Sequence, residues 1–273
     1  MIVVRPTAAF QEIAELLGFA FEKLGCHSSV VRRVVPSQDM VVLGPHVLSP
    51  SVLATLPPSA ILYNLEQLPH DAEVFESGVR EAFFRHPVWD YSRQNCRIWR
   101  EQGVEQVVWV PIGYMPELSR ISAATEQDID VLFFGTPSDR RLRILDQLKT
   151  HGIRVVARFN VWGPQRDELI SRAKVVLNMH YYPTHIFEIV RVSYLLANHK
   201  AVVTECDPDT EIEDDLRDAV YAVPYGDLVE AICWLLAHPE ERERLSMRGF
   251  VRMAARDEVT FVSRALAQSG LIC

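Results

Sequence analysis

Side chains suited to acid–base chemistry and to anion binding are concentrated in the segment 180–191. It contains the imidazole of His180, the phenol of Tyr181, the carboxylate of Glu188 and the guanidinium of Arg191. Imidazoles and carboxylates are common general acids and bases, and a guanidinium pairs with phosphate through two parallel hydrogen bonds. The segment is therefore the best candidate for a functional site.

The sequence predicts that a strand, a loop and a helix position this segment. Apolar runs at Val175–Leu177 and Ala201–Thr204 are short enough for fully buried strands, and the helix between them is predicted to have Thr184 as its N-cap. Ligands of open α/β sheets bind at the carboxyl ends of strands, and helix N-termini favour anions. His180 and Tyr181 follow the end of the first predicted strand, and Glu188 and Arg191 lie near the start of the predicted helix.

Each of these side chains also has a structural interpretation. His180 could contact a phosphate or sugar oxygen or act as a general base, but a single histidine can equally be a satisfied structural residue. Glu188 and Arg191 are three residues apart, a spacing that allows an ion pair on a helix surface. Facing a cleft, they would instead suit sugar hydroxyls and phosphate. Tyr181 is suited to packing or to stacking on a base or sugar.

A second candidate anion site follows the predicted strand Val131–Phe134. Gly135 and Thr136 begin a turn there, and glycine lets a phosphate approach the backbone. Arg140 or Arg141 could then pair a diphosphate. The pattern is neither GxGxxG nor a P-loop, so an ordinary turn with solvated arginines is the alternative.

In the first half of the chain, Asn64, Glu66 and Gln67 directly follow the predicted strand Ala60–Tyr63. Polar groups at this place are costly if they are buried without partners, so a position at a cleft is predicted for them. Asn64 and Gln67 would contact an acceptor. Glu66 is a candidate general base.

A further polar cluster follows a short strand and contains Asp90, Tyr91, Ser92 and Asn95. Asp90 is the second candidate general base, and the other three are candidate acceptor contacts. Asp90 and Ser92 have a structural alternative as helix N-caps. Tyr114, at the end of this half, is predicted to line a hinge or a cleft wall.

The alternation of short apolar strands with helices predicts an α/β fold of two Rossmann-like domains that face a cleft. Residues 1–115 form the first predicted domain. Residues 116–129 are polar without an apolar period and are predicted to be a linker, and residues 130–273 form the second domain. The last helix is expected to pack back on the first domain.

Composition narrows the function classes. The 273 residues carry a formal net charge of −8, which argues against a nucleic-acid-binding protein. The five cysteines are scattered without a CxxC pair and indicate neither a zinc site nor a disulfide framework. His180 and His185 are five residues apart, so no metal-ligand spacing is present. No membrane-length apolar run or signal peptide is visible, and a cytoplasmic protein is expected.

Residues 128–255 resemble the second domain of GT-B glycosyltransferases, in particular the short bacterial "group 1" and CgeB-like enzymes. The counterparts of their motifs are Phe134–Thr136, Arg140 or Arg141, the helix from Glu188, the "RVFE"-like Arg191–Tyr194, and Ala197–Val203 before the last strand. Over the first 115 residues the resemblance is one of architecture.

The resemblance implies a metal-independent glycosyltransferase that moves a sugar from a nucleotide-diphosphate sugar to an acceptor. A UDP-sugar is the expected co-substrate, and no other cofactor is expected. By analogy, Gly135, Arg191 and either Arg140 or Arg141 hold the diphosphate, while Glu188 holds the ribose or the donor sugar.

Three departures from the family pattern keep other functions open. Leu196 and Tyr194 occupy the positions of family glutamates, His199 replaces a glycine before the last strand, and the first domain is small. A degenerate GT-B module that binds a nucleotide, a glycan or a protein without catalysis is the first alternative. A GT-B sugar epimerase is the second.

Overall fold

The computed structural model describes residues 1–35, 39–68, 75, 77–181 and 186–271. The chain divides into two compact units: unit 1 comprises Met1–Met115 and Asp257–Cys273, and unit 2 comprises Pro116–Arg256. Each unit is built around one parallel β-sheet flanked by helices. The predicted α/β class is therefore confirmed.

Unit 1 contains a six-stranded sheet. Its strands are β1 (Ile2–Val4), β2 (Ser29–Val31), β3 (Met40–Leu43), β4 (Ile61–Asn64), β5 (Val88–Asp90) and β6 (Val107–Trp109). Their order is β2-β1-β3-β4-β5-β6, and every neighbouring pair is parallel. The four central strands are completely buried, as expected for a parallel sheet covered on both faces.

The helices of unit 1 are α1 (Gln11–Lys23), α2 (Pro50–Leu53), α3 (Ser77–Arg85), α4 (Arg93–Glu101) and the C-terminal helix α10 (Glu258–Gln268). Helix α1 buries an apolar face, and the chain leaves it through Gly25 at φ +83°, the left-handed conformation that glycine adopts without strain. Helix α10 packs against α1 and β6. Its Glu258 carboxylate accepts a hydrogen bond from the Gly113 amide at 2.7 Å.

Unit 2 contains a five-stranded sheet. Its strands are β7 (Ile129–Phe134), β8 (Val155–Arg158), β9 (Ala173–Asn178), β10 (Ala201–Glu205) and β11 (Tyr221–Val223). Their order is β11-β10-β9-β7-β8, again with parallel neighbours. The loops after β7, β9 and β10 therefore leave the same edge of the sheet side by side. The loops after β7 and β9, with the helices that follow them, carry the unit 2 residues singled out from the sequence.

The helices of unit 2 are α5 (Asp139–Thr150), α6 (Gly163–Arg172), α7 (Ile189–Ala197), α8 (Leu228–Ala237) and α9 (Pro239–Ala254). Helix α7 begins after Glu188, which occupies the N-cap position; the predicted N-cap, Thr184, lies outside the described residues. His199, which stands where the family has glycine, adopts φ +53°. Its ring stacks on Phe250 with centroids 3.8 Å apart.

The residues predicted to be a linker have contacts of their own within unit 2. Ser119 Oγ donates to the Ala197 carbonyl at 2.6 Å, and the Arg120 and Ile121 amides both donate to Asn198 Oδ1 at 2.8 Å. The segment is thereby bound to the end of α7. In unit 1, Cys26 is disulfide-bonded, which the scattered cysteines did not predict.

Candidate functional site

The candidate site lies at the carboxyl edge of the unit 2 sheet. Gly135 follows β7, His180 follows β9, and Glu205 ends β10. Because β10, β9 and β7 are neighbours, residues that are far apart in the chain meet here. Glu205 is a site residue that sequence reasoning missed, although a carboxylate at the end of a buried apolar strand was a visible signal.

Arg141 forms the floor of the site and is 1% exposed. Its guanidinium donates to three backbone carbonyls: Thr136 at 2.8 Å, Met179 at 2.5 Å and His180 at 3.2 Å. Its Nη2 also lies 3.6 Å from Glu188 Oε1. Burial lowers the pKa of Arg141 to about 10, and the side chain remains cationic at neutral pH. Arg141 thus ties the loops after β7 and β9 together.

Arg140 is also held by protein groups. Its guanidinium makes two hydrogen bonds to the Glu205 carboxylate, at 2.6 and 2.5 Å, and lies 4.2 Å from the ring centre of Tyr225. Glu205 is 1% exposed and accepts a further bond from the His180 amide at 3.0 Å. The alternative of an ordinary turn with solvated arginines does not hold, because Arg141 is buried and Arg140, although 24% exposed, is paired with Glu205.

Glu188 and Arg191 form the part of the site that reaches solvent. Arg191 Nη1 lies 3.1 Å from Glu188 Oε2 and donates to Asn178 Oδ1 at 3.2 Å. The Arg191 side chain is 25% exposed and the Glu188 side chain is 12% exposed. Burial alone would raise the pKa of Glu188, but Arg191, His180 and Arg141 outweigh it and lower the value to about 2. Glu188 is therefore a carboxylate at physiological pH.

Gly135 places its backbone against these guanidinium groups. Its φ of +144° is strained for a residue with a side chain, and a Cβ atom there would lie 3.4 Å from Arg191 Nη2 and 3.6 Å from Arg141 Nη1. The missing side chain leaves the backbone accessible beside Arg191. Thr136 contributes its carbonyl to Arg141.

His180 is completely buried. Its Nδ1 lies 3.7 Å from Glu188 Oε1, and neither ring nitrogen has a hydrogen-bond partner among the described residues. An imidazole with no exposed surface does not reach a substrate in this conformation, so His180 contributes to the field around Glu188. The neighbouring Tyr181 is 38% exposed, with its ring centre 5.3 Å from the Arg141 guanidinium.

Tyr194, which replaces the glutamate of the family motif, lies beside a different set of groups. Its hydroxyl donates to Asp167 Oδ2 at 2.9 Å and accepts from Arg120 Nε at 2.9 Å, and the Arg166 guanidinium lies 4.7 Å from its ring centre. Tyr194 is 4% exposed. It therefore links α7 to α6 and to the segment after residue 115.

In unit 1, Asp90 is the centre of a buried polar network. Its carboxylate accepts from the Asn64 and Asn95 amides at 2.7 and 3.0 Å, from Trp99 Nε1 at 2.9 Å and from the Ser92 backbone at 2.9 Å. Asp90, Asn64 and Asn95 have no exposed surface. The cleft position predicted for Asn64 is wrong, because Asn64 is buried with partners, and Asn95, a candidate acceptor contact, is buried in the same network. A fully buried Asp90 has no path to an acceptor hydroxyl.

The remaining candidates of unit 1 differ in accessibility. Glu66 has a side chain that is 44% exposed, and its Oε2 lies 3.8 Å from His46 Nε2. Gln67 is partly buried, and Tyr91 is 4% exposed. Tyr114 pairs with Asp257 in an isolated β-bridge. Of the two candidate bases of this unit, only Glu66 reaches solvent.

We expect the stability of unit 1 to fall as the pH rises from about 4 to about 7. Burial raises the pKa of Asp90 to about 7, against four opposing hydrogen bonds. Between these two pH values the Asp90 carboxyl is protonated in the folded state and ionised in the unfolded state. The free energy of unfolding is therefore highest below about pH 4 and falls by up to about 4 kcal/mol as the pH rises to about 7. Urea denaturation followed by tryptophan fluorescence measures this, and Asp90→Asn should remove the slope. If the free energy of unfolding of Asp90→Asn still falls with pH in the same way, another titratable group causes the pH dependence.

Two features are absent from the described residues. No group of three or more histidine, cysteine or acidic side chains among them is arranged to hold a metal ion. No helix in the described ranges combines the length and the apolar character that a membrane span requires.

Sequence comparison finds viral relatives. No family model matches the chain. Protein L140 of Acanthamoeba polyphaga mimivirus is 29% identical over 191 residues, which cover 65% of this chain and 59% of L140. Protein L138 of the same virus is 29% identical over 157 residues, 54% of this chain and 17% of L138. The chain thus spans less than two thirds of these relatives, and their viral source gives no support to the bacterial subfamily named by the resemblance.

Structural comparison finds solved proteins, glycosyltransferases among them, that match over almost the whole chain. Anabaena Alr3699/HepE, solved in complex with UDP and glucose, has a TM-score of 0.65 at 10% identity and covers 98% of both chains. WaaG, a glycosyltransferase involved in lipopolysaccharide biosynthesis, has a TM-score of 0.61 at 11% identity, with 99% of this chain and 98% of WaaG covered. At this identity, the likeness is one of fold.

Proposed function

We propose, from the GT-B fold that this chain shares with known glycosyltransferases, that the protein transfers a sugar from a nucleotide-diphosphate sugar to an acceptor hydroxyl. The observation that carries the proposal is the Arg191–Glu188 pair, partly exposed beside the accessible backbone of Gly135. The donor is proposed to be a UDP-sugar, since a structural relative was solved with UDP and glucose.

The proposed roles follow from the contacts. Arg191 has exposed guanidinium surface next to the Gly135 backbone, and a guanidinium matches the geometry of a phosphate. Glu188 is ionised and accepts hydrogen bonds, so it suits the hydroxyls of a ribose or of the donor sugar. Arg140 and Arg141 position the loops, because their donors already have partners.

Departure of the nucleoside diphosphate is proposed to need no metal ion. In the transition state the bond from the sugar to the diphosphate breaks, and negative charge develops on the leaving oxygen. Arg191, together with the first turn of α7, supplies fixed positive charge at this place. Such preorganised charge stabilises the leaving group without a metal. Glu66 is the proposed acceptor-side base, since its carboxylate is exposed.

Calorimetric titration with UDP-, GDP- and dTDP-sugars tests the proposal. We expect Arg191→Ala to weaken binding of the preferred donor about 10- to 150-fold, the loss typical for a charged hydrogen-bonding partner. Arg154→Ala is the matched control. Arg154 also pairs with a carboxylate, that of Asp130, but it precedes β8 at the opposite edge of the same sheet. Absence of binding to all three donor classes, or equal affinities of wild type and Arg191→Ala, would refute the proposal.

A binding module without catalysis is the second candidate. It is favoured because all three arginines at the site bond to protein groups and because Tyr194 replaces a family glutamate. Release of UDP from a bound UDP-sugar, measured with candidate sugar and lipid acceptors, separates the two functions. Binding without release in any acceptor mixture would favour the module. Conversion of the sugar without an acceptor would indicate an epimerase.

A further inference from the structure

Two exposed aromatic rings lie on the loop after β8. Phe159 is 40% exposed and Trp162 is 38% exposed. Strand β8 pairs with β7 in register, Phe134 opposite Arg158, and the Gly135 amide donates to the Arg158 carbonyl at 3.2 Å. The loop with the two rings therefore begins directly beside the Gly135 backbone. In the sheet, β8 lies on one side of β7 and β9 lies on the other. Glu188 and Arg191 come after β9 in the chain, so they are on the other side of β7 from this loop.

Neither ring belongs to the buried apolar core of unit 2. Trp162 is the N-cap residue of α6 and makes no side-chain capping bond, although Ser, Thr, Asp or Asn at this position would stabilise the helix. The loop turns through two residues with positive φ, Asn160 and Gly163, both at +59°. The left-handed conformation is uncommon for residues other than glycine. The local structure thus keeps two large apolar side chains at the surface.

We propose that Phe159 and Trp162 form a stacking surface for the nucleobase of the donor, which deepens the proposed function and rests on it. One ribose ring separates the base from the diphosphate in a nucleotide, and neighbouring strands are about 5 Å apart. A diphosphate at Gly135 and Arg191 therefore places its base over the loop after an adjacent strand. The charged groups after β9 suit the sugar and phosphates, and the apolar rings after β8 suit a base.

The chemistry of stacking gives this surface a specific property. Every nucleobase presents a π face, so an aromatic surface adds affinity for all bases with little discrimination among them. We therefore expect the loss on removing a ring to be similar for UDP, GDP and ADP. Discrimination between bases would come from hydrogen-bonding groups.

The experiment measures nucleotide affinity in ring variants. Trp162→Ala and Phe159→Ala should each weaken UDP binding about 5- to 150-fold, the range for one base stacked on one ring. Trp162→Phe should restore most of the affinity, because it keeps an aromatic face. Trp234→Ala is the matched control, since Trp234 is a 41% exposed tryptophan of the same unit, on α8. It should bind UDP like wild type.

Fluorescence gives an independent readout. UDP should quench the tryptophan emission of the wild type and of Trp234→Ala, and this quenching should be largely absent in Trp162→Phe even though UDP still binds. Equal UDP affinities of wild type, Trp162→Ala and Phe159→Ala would overturn the stacking surface while leaving the proposed function intact. Equally weak binding by Trp162→Phe and Trp162→Ala would also overturn it. If wild type binds no nucleotide, the proposed function fails and this inference fails with it.

Discussion

Replacing Arg141 by methionine is expected to lower the free energy of unfolding of unit 2 by about 3–5 kcal/mol, the cost of breaking a buried charged network on one side. The substitution removes the guanidinium donor of the Thr136 and Met179 carbonyls, while the His180 carbonyl keeps a bond from Arg140 Nη1 at 3.1 Å. It also removes a cation 3.6 Å from the largely buried Glu188. Methionine fills much of the volume, so the loss measures the polar contacts.

Chemical denaturation, with the protection of the β7 and β9 amides followed by hydrogen exchange, measures this loss. Arg143→Met is the matched control, because Arg143 lies on the same helix with its side chain exposed. Its effect should stay within about 0.5 kcal/mol. A loss of less than about 1 kcal/mol for Arg141→Met would show that water or neighbouring groups replace its donors, and the structural role assigned to Arg141 would be wrong.

Glu205→Ala is expected to have a comparable effect, about 3–5 kcal/mol. Glu205 is almost fully buried and accepts two hydrogen bonds from Arg140 and one from the His180 amide. Without it, a partly buried guanidinium and a backbone N–H lose their acceptor together. Because His180 begins the loop that leads to Glu188, we also expect weaker nucleotide binding.

A double variant isolates the charge pair in this prediction. Arg140→Met combined with Glu205→Leu removes both charges and should recover much of the stability lost in Glu205→Ala, because a buried pair exchanged for apolar groups costs little. Thermal and urea denaturation of wild type, Arg140→Met, Glu205→Leu and the double variant completes the cycle. If the double variant is as unstable as Glu205→Ala, the His180 amide and not the charge pair accounts for the loss.

These contacts change the roles assigned to the arginines. From the sequence, the resemblance assigns the diphosphate to Arg191 and to either Arg140 or Arg141. In the structure Arg140 is bound to Glu205 and Arg141 to backbone carbonyls, whereas Arg191 donates to Asn178 and pairs with Glu188 beside the Gly135 backbone. Arg140 and Arg141 therefore hold the loops, and Arg191, beside Gly135, is the arginine proposed to contact a ligand.

The same distinction applies to Asp90. A carboxylate after a short strand is consistent both with a general base and with a structural residue, and only its surroundings decide. Asn64 lies 26 residues away in the chain and Trp99 nine, yet both donate to the same carboxylate. Parallel pairing of β4 with β5 brings Asn64 opposite Asp90. The polar cluster therefore lies in the interior.

What the sequence alone determined is the alternation of buried strands and helices, because apolar periodicity is a local property. It also identified the 180–191 segment, since polar residues after a buried strand are visible in one stretch of chain. The pairing of charges required the tertiary structure. Arg140 and Glu205 are 65 residues apart, and they meet only because β7, β9 and β10 end at one edge of the sheet. Burial and partner together decide whether a charged group supports the fold or remains for a ligand, and neither is encoded locally.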